Sequence, residues 1–153
     1  MLKDKFGFRV LVLTLVLICS SLSWAGTSKT RTSPKYVPAS KGKLITKEDY
    51  SKIILLEPKD FDQPGHQMQV VIVPPKTRMR THWHNKQTEV YYVLEGGSWV
   101  VLNGKKHMTH PGDAFVIRPG VKHTVWNDTD KPFKQVVFKI DYPEGDDTVW
   151  AEK

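Results

Sequence analysis

The chain carries a single cysteine, Cys19, among 153 residues. One thiol cannot form an internal bridge, which excludes a disulfide-stapled scaffold. Ten glycines are too few for a collagen-like repeat. Long apolar runs are scarce as well. Residues 10–18 form one, interrupted by Thr14, and it is about half of the ~20 residues a spanning helix needs. With 39% hydrophobic and 25% charged residues, the composition excludes both wholesale disorder and a multispanning membrane protein. The length fits one domain built on one core.

What stands at the front is an address. Lys3, Lys5 and Arg9 precede the apolar run, and Ser23 and Ala25 put small residues where a signal peptidase reads them. Residues 1–25 are therefore expected to be a signal peptide, removed on export to a periplasm or to the outside of the cell. No stable membrane anchor is expected after cleavage. Lipid attachment at Cys19 is the alternative, with bulky Ile18 against it where a small residue is wanted. Cleavage also removes the one cysteine, so thiol chemistry is excluded from the mature chain.

The net charge of +7 is unevenly placed. Residues 26–43 hold Lys29, Arg31, Lys35, Lys41 and Lys43 and no acid, whereas residues 44–153 are balanced in sign. The basic excess thus belongs to a leader and a tail, and no nucleic-acid partner is expected. Rich in Ser, Thr, Lys and Pro, residues 26–43 lack the apolar surface to offset ordering entropy and are expected to be a flexible linker.

From residue 44 onward short apolar alternations are punctuated by turn residues. Residues 46–49 resemble a helix start, and 53–56 fit a brief helix or a first strand. Strands are expected over 70–73, 77–84, 88–94, 98–102, 105–109, 114–117, 122–127 and 133–140. Asn103-Gly104 is a tight-hairpin signal, since both residues tolerate positive φ. Closely spaced strands without a long helix predict an all-β sandwich or barrel over residues 44–153. The acidic end, residues 141–153, is expected to pack Trp150 loosely on the outside.

His82 and His84 are two apart on a predicted strand, so both leave the same face, with Glu89 five residues on and His123 on a later strand. Imidazoles with a carboxylate suit a divalent metal ion such as Fe, Mn, Ni, Co, Cu or Zn. In this segment His82-x-His84-x4-Glu89-x6-Gly96, and later Gly112, Gly120, His123 and Asn127 in order, resemble the two motifs of the cupin superfamily. Lys76 stands where the first motif begins with glycine, and Arg118 where the second has proline. The resemblance spans residues 76–127, and the neighbouring strands extend it to about 45–142. It implies a double-stranded β-helix (jelly-roll) barrel with His82, His84, Glu89 and His123 as ligands to a metal ion in its mouth. Coordination positions left open would separate a catalytic site from a closed structural one.

Other residues enter with two readings each. Strand parity sends Arg80, and with it Arg78, to the side of His82, where Arg80 could fork onto a substrate carboxylate; a solvent-facing arginine is the alternative. Tyr91 shares the face of Glu89 and is either a hydrogen-bonding or acid–base group or a packing ring. Trp83 faces outward, which points to a covering strand or to a homodimer interface. His66, in a loop, and His107 and His110, at a hairpin end, are weaker metal candidates, and Asn127 supports a turn or orients His123. A small-molecule substrate or ligand is the expected partner. By family analogy, the leading function is a metal-dependent oxygenase or dioxygenase. A lyase or isomerase, and a non-catalytic protein that captures a sugar, an anion or the metal, are the alternatives.

Overall fold

The computed structural model describes residues 35–143, 145 and 147–151. The expected signal peptide and the front of the expected linker lie outside the described residues. Among those described, twelve strands run in chain order: β1 (Lys43–Thr46), β2 (Ser51–Leu56), β3 (Gln67–Val73), β4 (Thr77–Arg78), β5 (His82–His84), β6 (Thr88–Glu95), β7 (Ser98–Leu102), β8 (Lys105–Thr109), β9 (Ala114–Ile117), β10 (His123–Asn127), β11 (Phe133–Ile140) and β12 (Thr148–Trp150). Two short 3-10 turns, Ala39–Lys41 and Pro58–Asp60, accompany them. No described helix is long and apolar enough to cross a membrane.

The strands form two antiparallel sheets. One has the order β1-β2-β3-β11-β6-β9, the other β12-β5-β10-β7-β8 with β4 beside β10. This is the jelly-roll arrangement, a double-stranded β-helix, in which two sheets face each other across one core. Turn chemistry sets the registers. Asn103 (φ 46°) and Gly104 (φ 84°) close the β7–β8 hairpin with both central residues left-handed. Gly96 has φ 82°, and a Cβ there would meet the Pro132 carbonyl oxygen at 2.8 Å. Lys76 adopts φ 54° in the place of the motif's glycine, and its ammonium donates to the Asp128 carbonyl at 2.9 Å. Where Arg118 replaces proline, the turn survives: Val121 N–H donates to the Arg118 carbonyl at 3.2 Å across Pro119-Gly120.

Period-two alternation decides which side chains face inward, and the inner face changes character along its length. At one end Val73 pairs with Phe133, and both are fully buried among Val93, Val100 and Val137. Burying such side chains contributes roughly 1.5–3 kcal/mol each. Towards the other end the inward positions hold Gln67, Gln69, Glu89 and Lys139, and Gln135 is set between Phe133 and Val137. The barrel therefore has a dry half and a polar half.

Three sequence expectations change here. Residues 46–49 are a hairpin turn between β1 and β2 instead of a helix start, with Thr46 opposite Ser51. The tail expected to stay flexible to residue 43 contributes a 3-10 turn and the first residue of β1, and Gly42 packs against Ile53. The acidic end does not pack Trp150 on the outside. β12 pairs with β5 and sets Trp150 opposite His82.

Candidate metal centre

β5 and β10 are hydrogen-bonded neighbours, and their register places His123 opposite His82. With His84 two residues on, one ligand atom from each of the three imidazoles lies within 4.8 Å of the other two. All three rings are buried. Backbone carbonyls orient two of them: His82 Nδ1 faces the Arg80 oxygen at 3.2 Å and His123 Nδ1 faces the Val121 oxygen at 2.9 Å. A carbonyl only accepts, so each Nδ1 carries the proton and each Nε2 keeps its lone pair. His84 Nδ1 lies 3.4 Å from Asp147 Oδ1, a carboxylate delivered by the segment before β12.

Glu89, on β6, completes the cluster. Its Oε2 lies 3.4 Å from His84 Nε2 and 3.5 Å from His123 Nε2, and neither nitrogen has a hydrogen-bond partner. Two buried imidazole nitrogens without partners are costly unless something fills the space between them. Neighbouring ligands about 2.1 Å from one ion stand roughly 3.0–3.4 Å apart, so the spacing suits a shared divalent cation. The donor set, three imidazoles and one carboxylate, fits the borderline divalent ions.

The protonation states agree with that fit. Burial, with the neighbouring His123 imidazole acting in the same direction, pulls the His82 imidazole down to about 3, which keeps it a neutral ligand. Burial alone would raise the Glu89 carboxyl, but His123, His84 and Lys139 outweigh it and hold the group well below the usual carboxylate range. Its other oxygen is anchored: Gln87 Nε2 donates to Oε1 at 3.0 Å, and Lys139 Nζ stands 3.6 Å away. Tyr91 donates its hydroxyl to Glu89 Oε2 and stacks on Phe115 at 4.8 Å. Burial and the Glu89 charge push the Tyr91 phenol well above its ordinary value. Tyr91 therefore keeps its proton and acts as a donor to Glu89.

The cluster lines a cavity of about 40 Å³, walled also by Gln69, Gln135, Thr148 and Trp150. That volume holds an ion and one or two small ligands. Outside it lies a wider depression of about 720 Å³, and Tyr50 and Trp150 line both.

Arg80 does not reach the cavity. Strand pairing breaks between β4 and β5, and Met79 takes the inward position, its N–H donating to the Val125 carbonyl at 2.9 Å. The alternation slips by one residue there, so Arg80 is exposed and its guanidinium lies 4.2 Å over the Trp150 ring in the outer depression. Arg78 is exposed too and forks onto Asp128. His66 packs between Phe61 and Phe138, a side chain on the outward face of β11, and His107 and His110 are exposed. Asn127 is fully buried and donates to the carbonyls of Val73, Pro74 and Lys131, so it ties turns together instead of orienting His123. Sequence reading missed Trp150, whose ring lies 4.9 Å from His82, and Lys139, Gln87, Gln69 and Gln135. The only signal available was parity: Lys139 and Gln135 alternate with Val137 and Phe133 on one strand face.

A two-sheet jelly roll with imidazoles gathered in its polar half defines a class of small β-barrels built around a candidate metal centre. A family model described as a cupin domain matches residues 69–139. An uncharacterized protein of Methanocaldococcus jannaschii is 30% identical over 99 residues, 65% of this chain and 78% of that one. Among solved structures, a predicted oxalate decarboxylase from Thermotoga maritima superposes with TM-score 0.62 at 21% identity, covering 69% of this chain and 98% of that one. The polyketide cyclase RemF from Streptomyces resistomycificus gives 0.65 at 20% identity, with 79% and 89% covered. The chain belongs to the cupin superfamily.

Proposed function

We propose that the chain is an exported, metal-dependent enzyme acting on a small organic molecule, with an oxygenase or dioxygenase as the first reaction class. The observation that carries the metal reading is the pair of buried, unpartnered Nε2 atoms of His84 and His123 facing Glu89 Oε2. A divalent ion held by His82, His84, His123 and Glu89 would supply Lewis acidity and an open edge for substrate or dioxygen. The chain's own residues do the rest. Carbonyls hold two imidazoles in the coordinating tautomer, Gln87 and Tyr91 fix the carboxylate, and Trp150 narrows the way in.

A lyase or isomerase is the second reading. The Tyr91–Glu89 hydrogen bond favours it, since it keeps a proton beside the place where a substrate would bind. Elemental analysis followed by oxygen-uptake assays on phenols, thiols and keto-acids separates the readings. One divalent ion per chain with uptake abolished in His123→Ala supports the oxygenase. Product formed without oxygen assigns the lyase or isomerase, and saturable binding without turnover assigns a binding protein. A chain that stays metal-free in excess divalent ions sinks all metal chemistry.

We also propose that the active form is a homodimer, joined through a face other than that of Trp83. The outward side chains of β6, β11 and β9 include Val90, Tyr92, Leu94, Val136, Phe138 and Val116, with Thr88 and Lys134 among them, and Tyr92, Leu94 and Val116 are exposed. The six strands of that sheet hold 37 residues, which at ~4.8 Å spacing and ~3.3 Å rise make a face of roughly 590 Å² in projection. A standard interface takes about 800 Å² from each partner. Export through cleavage after Ala25 completes the proposal, and mass measurement of the mature protein tests it.

A further inference from the structure

The inward face of the first sheet carries an unmet demand for hydrogen. Gln69 on β3 and Gln135 on β11 are 4% and 1% exposed and line the histidine cavity. The side-chain oxygen of each is buried and has no hydrogen-bond partner. An unmet buried acceptor destabilises the fold, and apolar packing would remove the penalty. The flanking inward residues, Val71, Val73, Val137 and Phe133, show that the same strands supply apolar side chains where only filling is required. Of the donors beside Glu89, Tyr91 and Gln87 donate to its carboxylate and Lys139 pairs with it. Register sets Gln69 opposite Val137, two residues along from Gln135, so the two amides are diagonal neighbours about 7–8 Å apart at the backbone. One small molecule spans that distance.

We infer that Gln69 and Gln135 form the recognition wall for a small hydroxylated ligand, a polyol or hydroxy-acid. Its O–H groups donate to the two amide oxygens while another of its oxygens faces the imidazoles. The inference rests on the metal-dependent reading above and names the substrate class for it.

Calorimetric titration of the zinc-loaded protein with glycerol, glycerate and propionate tests it. Glycerate and propionate share three carbons and a carboxylate and differ in two hydroxyls, while glycerol keeps the hydroxyls without the charge. The expected result is binding of glycerate, glycerol or both, at least tenfold tighter than propionate; which of the two binds distinguishes hydroxy-acid from neutral polyol. Gln69→Leu and Gln135→Leu should each weaken that binding at least tenfold and leave zinc content unchanged. They should also raise the melting temperature of the unliganded protein by about a few degrees, because the unmet acceptor is gone. Gln135→Met, with its similar length, serves if a leucine variant fails to fold. Equal affinity for propionate, unchanged binding in the variants, or a lowered melting temperature overturns the inference. If the wild type takes up no zinc, the metal reading fails separately. The same titrations on metal-free protein then decide the wall: a preference for hydroxyls supports it and none overturns it.

Discussion

His82 and His123 meet across the β5–β10 pair with ring centroids 4.2 Å apart and ring planes inclined by 54°, each held by a carbonyl two residues earlier in its own chain segment. The arrangement is pre-set for coordination, because the backbone fixes which nitrogen is free. Replacing His123 by alanine removes one of the three imidazoles and leaves strand pairing intact. The expected outcome is a folded protein, by circular dichroism, with metal affinity reduced more than a hundredfold in a chelator competition. Retention of stoichiometric metal would refute the assignment.

The Tyr91 hydroxyl serves Glu89, so Tyr91→Phe should leave the packing on Phe115 and remove only the donor. Groups of this kind usually change metal affinity by roughly 10–100-fold. The same competition assay reads the change, and an unaltered affinity would assign Tyr91 to packing alone.

Acid should destabilise the metal-free protein, and two groups set the sign. Native His82 stays neutral down to about 3, whereas the unfolded chain takes up its proton near 6.5. The unfolded state is therefore favoured as pH falls below 6.5. Glu89 acts in the same direction: its depressed carboxyl gives stability that is present above the unfolded value of 4.5 and lost as pH falls through its native one. Urea midpoints should be level near neutrality, decline below about pH 6.5, and decline further below about 4.5. A midpoint that rises on acidification would contradict this.

Phe133 anchors the dry half, fully buried opposite Val73. Phe133→Ala should cost roughly 3–5 kcal/mol in a denaturant melt. A loss under about 1 kcal/mol would mean the barrel end collapses around the gap.

Tyr92 lies on the outward apolar face, exposed on β6 between β11 and β9. Tyr92→Glu should convert the dimer to monomer in sedimentation without altering metal content. A wild type that sediments as a monomer at high concentration would remove the dimer proposal.

Much of the barrel was legible beforehand because alternation is a local property. Residues 88–94 and 133–140 show period two, and Asn103-Gly104 demands a hairpin whatever surrounds it. His82 and His84 share a face for the same reason. Parity failed at Arg80, where the chain leaves β4 and re-enters at β5 one residue out of step. It could not reveal Trp150 either, since the pairing of β12 with β5 joins segments more than sixty residues apart.

The sequence alone determined the alternating strands, their turns and the identity of the imidazoles and carboxylate, because backbone sterics and side-chain chemistry act within a few residues. Only the tertiary structure decided that Gln69, Gln135, Lys139 and Trp150 surround those imidazoles and that Arg80 stands outside. Which side chains meet across a barrel depends on register between distant strands. That register is selected by the burial of the whole inner face at once, so no single segment specifies it.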